Sequence, residues 1–563
     1  MWKQWCSKDR RLRARCSEKS AEAVSIVIEI PDCCICREVV RICKPSGTVD
    51  SKMRDWAPPV EHCLESSTLL ECGAMGCVLS SLIFGLLMIM TLQTKEKLEA
   101  SREHFNRLAG QRAYWRHKAG AYYEDQTRYF QFLVPQGLRI LEVGSSLGNL
   151  LAALKPSRGV GVDLSEAMVS EAARQHPSLE FHVGDAESLE MRERFDVIIL
   201  ADVIGHLLDV EAALTRLHRV CTARTRIIVS NYNYLWEPVL RLGEKIGMKM
   251  PQREQSWLSP ADIANLLHLS DFEVVKTERR LLFPKRVPLL SMLLNKFLAY
   301  LPLVNKLCLC HYVVARPRVR DTASVFSTTI VIPCRNEREN IEPAVQRIPL
   351  FGGHQEIILV DGHSTDGTPE EIQRVMRAYP HKDIRFLVQD GTGKGDAVRK
   401  GFGQAKGDIL MILDADLTVP PEDLPKFYDA ISSGKGEFIN GCRLVYPMES
   451  RAMRALNLLG NKFFSMAFSW LLNQRIKDTL CGTKVLFRRD YERLVTNRHY
   501  FGEFDPFGDF DLLFGASKLN LHILEIPIRY QDRTYGSTNI QRFAHGWLLL
   551  KMTVYGFFRL KAV

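Results

Sequence analysis

Asp414 and Asp416 stand one residue apart at the end of the apolar run Ile409-Leu410-Met411-Ile412-Leu413. Two carboxylates so placed can hold a hard divalent cation, Mg²⁺ or Mn²⁺, against phosphate oxygens. Alternate residues of an extended segment share a face, so both side chains can point the same way. That is the chemistry of a nucleotide-diphosphate site. Taken alone, an Asp-x-Asp pair serves as well to close a turn or cap a helix. Two further groups add to it. The buried-type run Glu356-Ile357-Ile358-Leu359-Val360 ends on Asp361, and Gly391-Thr392-Gly393-Lys394-Gly395 is a flexible loop able to bring Lys394 to a phosphate.

A second set of chemistry-bearing residues lies earlier. The run Leu138 to Val143, with Glu142 near its end, leads into Gly144-Ser145-Ser146-Leu147-Gly148 and then a helical stretch. A strand, a glycine loop and a helix form a cofactor-binding corner. The next run, Gly159 to Val162, ends at Asp163, whose carboxylate can accept both hydroxyls of a ribose. A third, Glu180 to Gly184, ends at Asp185-Ala186. This order resembles that of class I S-adenosylmethionine methyltransferases, with dinucleotide-binding domains as the rival. The resemblance makes Glu142 before the loop, Asp185, and the run Phe195 to Leu200 features that favour the methyl donor. Ser146 stands where the middle glycine is expected and adds a side chain where the backbone approaches the cofactor, so a degenerate site stays open. His206 and Tyr232 follow later strands and can face either a methyl acceptor or the core.

The elements that must position these groups are strands alternating with helical patterns, which builds parallel sheets with ligands beyond the strands' carboxyl ends. Upstream, Thr329-Ile330-Val331-Ile332-Pro333 runs into Cys334-Arg335-Asn336-Glu337. On these motifs residues 326–545 resemble the family-2 glycosyltransferases of the GT-A fold, and among them the polyprenyl-phosphate sugar transferases such as dolichyl-phosphate mannose and glucose synthases. The resemblance implies a nucleotide-sugar site at Pro333, Asn336, Glu337, Asp361 and Asp366. It implies catalysis at Asp414, Asp416, Lys394 and Arg443 with a divalent cation on Asp414 and Asp416. It puts acceptor phosphate at Arg443, Arg451, Arg454, Asp478 and Lys484, and it implies inversion at the anomeric carbon. Gly362 replaces the second acid of the usual Asp-Asp-Gly-Ser motif, and Thr418 stands where relatives often carry glutamine. The motifs Asp478 to Lys484, Phe510 to Leu513 and Arg533 to Thr538 complete the pattern. Residues 95–316 resemble class I S-adenosylmethionine methyltransferases, which implies cofactor contacts from Glu142, Gly144, Ser146, Gly148, Asp163, Asp185 and Ala186.

The whole is therefore expected to be an α/β protein of two doubly wound domains, a Rossmann-like methyltransferase domain and then a GT-A domain, dividing near 316–326. A chain of 563 residues exceeds one core. A net charge of +10, spread out, gives no reason to expect nucleic acid. Nine of the fifteen cysteines fall in the first ninety residues, in spacings that match no closed zinc pattern. The other six are scattered, which suits a reducing compartment, and the expected donors, a UDP- or GDP-linked sugar and S-adenosylmethionine, are cytoplasmic. Residues 1–72 show no sustained periodicity and are expected to be a disordered, dispensable leader, with Met88 or Met90 as alternative first residues. Residues 73–92 carry no charge, and twenty residues at about 1.5 Å each span a bilayer core, which makes them a candidate transmembrane helix. The stretches 284–307, 452–472 and 546–563 are apolar with basic residues interleaved and are expected at a membrane surface, the site of a polyprenyl phosphate acceptor. A saccharide acceptor, or a scaffold with a degenerate methyltransferase domain, is the alternative.

Overall fold

The computed structural model describes residues 95–253, 255–318, 325–443, 455–496, 509–529 and 542–562, together with Gln531, Arg533, Tyr535 and three strands near the start. The chain divides into two compact units, Met1–Ile89 and Met90–Val563. In the first, Arg13–Ser20, Ala23–Glu29 and Val39–Cys43 pair as an antiparallel sheet. The short alternation Val24, Ile26, Ile28 is the period-two signal for it within the supposedly unpatterned leader. The candidate span 73–92 lies outside the described residues. Among those described, no helix is long and apolar enough to cross a membrane.

The second unit contains two seven-stranded sheets. The first is built from β1 (Arg139–Val143), β2 (Arg158–Asp163), β3 (Glu180–Val183), β4 (Phe195–Ala201), β5 (Cys221–Tyr232), β6 (Phe272–Arg280) and β7 (Cys310–Pro317). Their spatial order is β3-β2-β1-β4-β5-β7-β6. Strands β3 through β5 are parallel, and β7 runs antiparallel to both neighbours. Ile140 and Leu141 on β1 and Ile198 to Leu200 on β4 are fully buried, as near-continuous apolar strands must be when helices cover both faces. The order reverses between β1 and β4, which opens a crevice at their carboxyl ends.

The second sheet is built from β8 (Thr328–Cys334), β9 (Gln355–Asp361), β10 (Asp383–Val388), β11 (Ile409–Ile412), β12 (Phe438–Cys442), β13 (Lys484–Phe487) and β14 (Ile523–Pro527). Its order is β10-β9-β8-β11-β13-β12-β14. The first four strands in that order are parallel, so β8, β9 and β11 all end on one edge. Strand β13 is antiparallel to β11 and β12, and β14 is parallel to β12.

Each sheet has a buried apolar cluster of its own, and a third is shared between them. The shared cluster runs from Tyr129, Phe130 and Tyr312 beside the first sheet to Phe468, Phe514 and Leu560 beside the second. Buried charges cross the same junction. Arg226 on β5 grips Glu437 through two bonds of 2.6 and 2.7 Å, Lys276 on β6 donates to the Ser517 carbonyl at 3.0 Å, and Asn520 donates to the Leu133 carbonyl at 2.9 Å. The neighbouring domain is what buries these polar residues.

Candidate active sites

At the shared edge of β8, β9 and β11 the loops after each strand interlock. Asn336, in the left-handed region at φ 57°, accepts the Thr365 N–H at 2.8 Å and donates its own N–H to Ser364 Oγ at 2.9 Å. Asp366 accepts from the backbone of Thr368 and Arg338 at 3.1 and 3.3 Å. Asn336 and Asp366 thus hold the loops, where direct contact with a nucleotide is expected from the sequence. Pro333 pairs with Val360 at the strand end and carries the chain into this knot. Asp361 is 2% exposed. One of its carboxylate oxygens accepts the Ser364 N–H at 3.1 Å, and the other is buried with no partner among the described residues. Such an oxygen is able to accept a hydrogen bond from a ligand.

The strand before the two acids stops at Ile412, and Asp414 opens a turn in which Leu417 N–H reaches the Asp414 carbonyl at 3.3 Å and Leu417 takes φ 57°. A turn, not an extended face, therefore brings the carboxylates to the edge. Lys394, the first residue of the helix Lys394–Gln404, sits 2.5 Å from Asp414 Oδ1. Asp416 takes bonds of 2.8 Å from both Arg533 and the Thr418 hydroxyl. Burial would raise the Asp416 pKa, but these bonds hold it below the ordinary carboxylate value. Arg533 also lies 3.2 Å from Glu337, whose pKa burial raises against that attraction. A Cβ at Gly482 would collide with Asp414 Oδ2 and Lys394 Nζ, so glycine keeps this corner open. Two carboxylates are hard oxygen groups of the kind a divalent cation takes, and each is engaged here by a side-chain cation, Asp414 by Lys394 and Asp416 by Arg533. Among the described residues no cluster of three His, Cys, Asp or Glu forms a cage for a metal.

On the acceptor side, the structure shows where the expected residues lie. Asp478 is buried, with Arg443 clamped on it through Nε at 2.7 Å and Nη2 at 2.8 Å. The Arg443 fork expected on an acceptor phosphate is thereby engaged by a carboxylate. Lys484 is fully buried on β13 and donates to the Cys481 carbonyl, so its ammonium is enclosed by the sheet. Arg451 and Arg454 lie outside the described residues. Arg533 and Gly482 sit within motifs visible in the sequence, but only the fold shows what they touch.

In the first sheet, the crevice at the β1/β4 reversal is lined by Glu142, Gly144, Ser146, Asp163, Asp185 and Ala186. Gly144 and Gly148 have φ of 75° and 70°, and a Cβ on either would strike Val203 or Phe181. Ser146 adopts φ 50° despite its side chain. Its N–H donates to Asp163 at 2.7 Å, and its hydroxyl accepts from Arg112 Nε at 3.1 Å, so the extra atoms are held by a lid helix over 95–118. Burial raises the Asp163 pKa against the Ser165 and Ser146 N–H bonds. Burial pushes Glu142 up to about 8, opposed by the Leu151 N–H and Arg116. His206 and Tyr232 both line the crevice, and burial with nearby Lys249 and Arg112 lowers His206 to about 4. Asp202, at φ 57°, accepts from Tyr122, Gln126 and Ser230 and lines the same crevice. It ends β4 as Asp163 ends β2, a signal of position that the sequence already carries.

Comparison with known proteins agrees with both halves. The model for "Glycosyl transferase family 2" matches residues 329–495, and that for "Methyltransferase domain" matches residues 114–277. A dolichol-phosphate mannosyltransferase of Pyrococcus furiosus is 43% identical over 111 residues, which is 19% of this chain and 31% of that protein. A dolichyl-phosphate hexose transferase of Haloferax volcanii is 30% identical over 226 residues, 40% of this chain and 91% of that protein. The chain thus spans about a third of the first relative's length and most of the second's. A solved SAM-dependent methyltransferase from Thermotoga maritima aligns at 17% identity and a TM-score of 0.32, covering 39% of this chain and 100% of that one.

Proposed function

The chain belongs to glycosyl transferase family 2, and from that premise we propose that it moves a sugar from a UDP- or GDP-linked donor to a polyprenyl phosphate at a membrane surface. The observation that carries this is a sheet edge that holds two ion pairs, Lys394 with Asp414 and Arg533 with Asp416, together with the unpartnered oxygen of Asp361. Asp361 accepts a donor N–H or O–H of the nucleoside, in a cleft whose loops Asn336 and Asp366 fix. Lys394 and Arg533 supply positive charge to the diphosphate, and Asp414 and Asp416 would hold Mg²⁺ or Mn²⁺. Bound there, the cation stabilises the charge that develops on the leaving diphosphate. The acceptor needs no strong base, because a phosphate monoester with a second pKa near 6 is about fully ionised at neutral pH.

The crevice of the first sheet takes S-adenosylmethionine in this proposal, with Asp163 toward the ribose, Asp185 and Ala186 toward the adenine, and the turn Gly144 to Gly148 against the methionine portion. The relatives' printed names support the lipid acceptor. The test is a panel of nucleotide sugars with a short polyprenyl phosphate and with free saccharides, with and without chelator. Metal-dependent transfer to the lipid phosphate is expected, and transfer to saccharide alone overturns the assignment. Calorimetry with S-adenosylmethionine tests the other half. Binding that Asp163→Ala weakens about tenfold supports it, and no binding to the wild type marks a degenerate domain.

A further inference from the structure

Three apolar segments from the two domains come together on one side of the second unit. In the first domain, residues 284–307 leave the sheet between β6 and β7, and Leu289 and Leu303 are 77% and 78% exposed. In the second, the helix Ala455–Leu472 packs against the helix Arg542–Gly556, leaving Phe463, Met466, Trp547 and Val554 exposed. The seam between the domains lies within this surface. Phe297 and Phe558, 41% and 54% exposed, have ring centroids 6.5 Å apart across it. Beneath them Trp470 stacks on Phe557 at 5.7 Å and donates its indole N–H to the Tyr300 carbonyl at 3.1 Å. The exposed apolar side chains of the insertion therefore continue those of the helices across a packed seam.

Charge identifies what covers this face. The chain has 65 acidic residues in 563, yet none falls within 284–307, 455–472 or 542–562. Lys285, Lys296 and Lys306 on one side, and Lys462, Lys551 and Arg559 on the other, are exposed around the apolar residues. One acid, Glu124, reaches this rim as the partner of Arg286. Apolar side chains rimmed mainly by cations suit the headgroup and upper acyl region of an anionic bilayer.

We propose that the methyltransferase-like domain is itself a membrane-docking part of the transferase: residues 284–307 and the helices Ala455–Leu472 and Arg542–Gly556 form one composite surface that seats on anionic lipid. This rests on the membrane partner in the proposed function and deepens it. The fold then presents the catalytic edge to a lipid acceptor through contacts made by both domains, not by the sugar-transferring domain alone.

Hydrogen exchange on the full chain tests it, with vesicles of phosphatidylcholine alone and of phosphatidylcholine with phosphatidylglycerol. On the anionic vesicles, amides of 284–307 should exchange about tenfold more slowly, together with those of 455–472 and 542–562. The double variant Leu289→Glu/Leu303→Glu should lose that protection over 284–307 while its circular dichroism and its transfer to a short-chain polyprenyl phosphate in solution stay unchanged. Protection of 455–472 and 542–562 without 284–307 overturns the composite surface and leaves the membrane partner standing. Protection of none of the three removes the membrane contact as well. Protection of 284–307 that instead grows with protein concentration in the absence of vesicles assigns the face to a second copy and overturns the lipid.

Discussion

In the proposed reaction Asp416 would carry the donor chemistry, and its neighbours keep it ionised. Arg533 and the Thr418 hydroxyl outweigh the cost of its burial, so near neutral pH it offers a charged oxygen to a cation. Asp416→Asn preserves the volume and removes that charge. Sugar transfer should fall by about a thousandfold with the melting temperature little changed, and a variant with most of its activity and undiminished metal dependence excludes the assignment. Glu142 has the opposite character. Its folded-state pKa is raised from 4.5 to about 8 by burial, so between those values the folded chain holds a proton that the unfolded chain has released. Stability from this residue therefore falls as pH rises through that window. Glu142→Gln removes the titration, so its melting temperature should match the wild type near pH 5 and exceed it near pH 8. A gap independent of pH contradicts the buried, protonated carboxyl.

At the scale of elements, both sites depend on strands that end together and on turns that take over where the strands stop. Much of this was legible. The apolar runs ending at Asp163, Asp361 and Ile412 became parallel strands of two doubly wound sheets, and the glycine loop became a turn with two left-handed glycines. What side chains do within the loops was not, because the same residue types serve two purposes. Asn336 and Asp366 read as ligand groups and also tie the loops together, and Asp478 and Lys484 read as phosphate contacts and are buried. Sequence spacing does not say which buried group is satisfied from within. Gly482 shows the converse, a residue without chemistry that sets the spacing of Asp414 and Lys394. Gly482→Ala should push that pair aside and lower sugar transfer by about a hundredfold, as a displacement near 1 Å can, while circular dichroism stays unchanged. Wild-type turnover in that variant means the corner has room to spare.

At the scale of the whole molecule, the two domains are joined by a common core and by buried charge, which periodicity within either half cannot reveal. Arg226 and Glu437 come from different domains, and Arg316 adds a second cation 3.6 Å from the same carboxylate. Glu437→Ala leaves both guanidinium groups without it and should cost about 3–5 kcal/mol in denaturant unfolding. Because the core is shared, tryptophan fluorescence and far-ultraviolet circular dichroism should report one coincident transition shifted as a whole. Two separated transitions, with only one moved, would mean that the halves fold independently. The proposed reaction is defined by what leaves the donor and what the acceptor becomes. Mass spectrometry of the lipid product and of the released nucleotide, after incubation of the purified full chain with a nucleotide sugar and a polyprenyl phosphate, tests that most directly. A lipid carrying one sugar on a single phosphate, with a nucleoside diphosphate released in equal amount, is the predicted result. A sugar attached to a saccharide, or a lipid diphosphate formed with release of a nucleoside monophosphate, would contradict it.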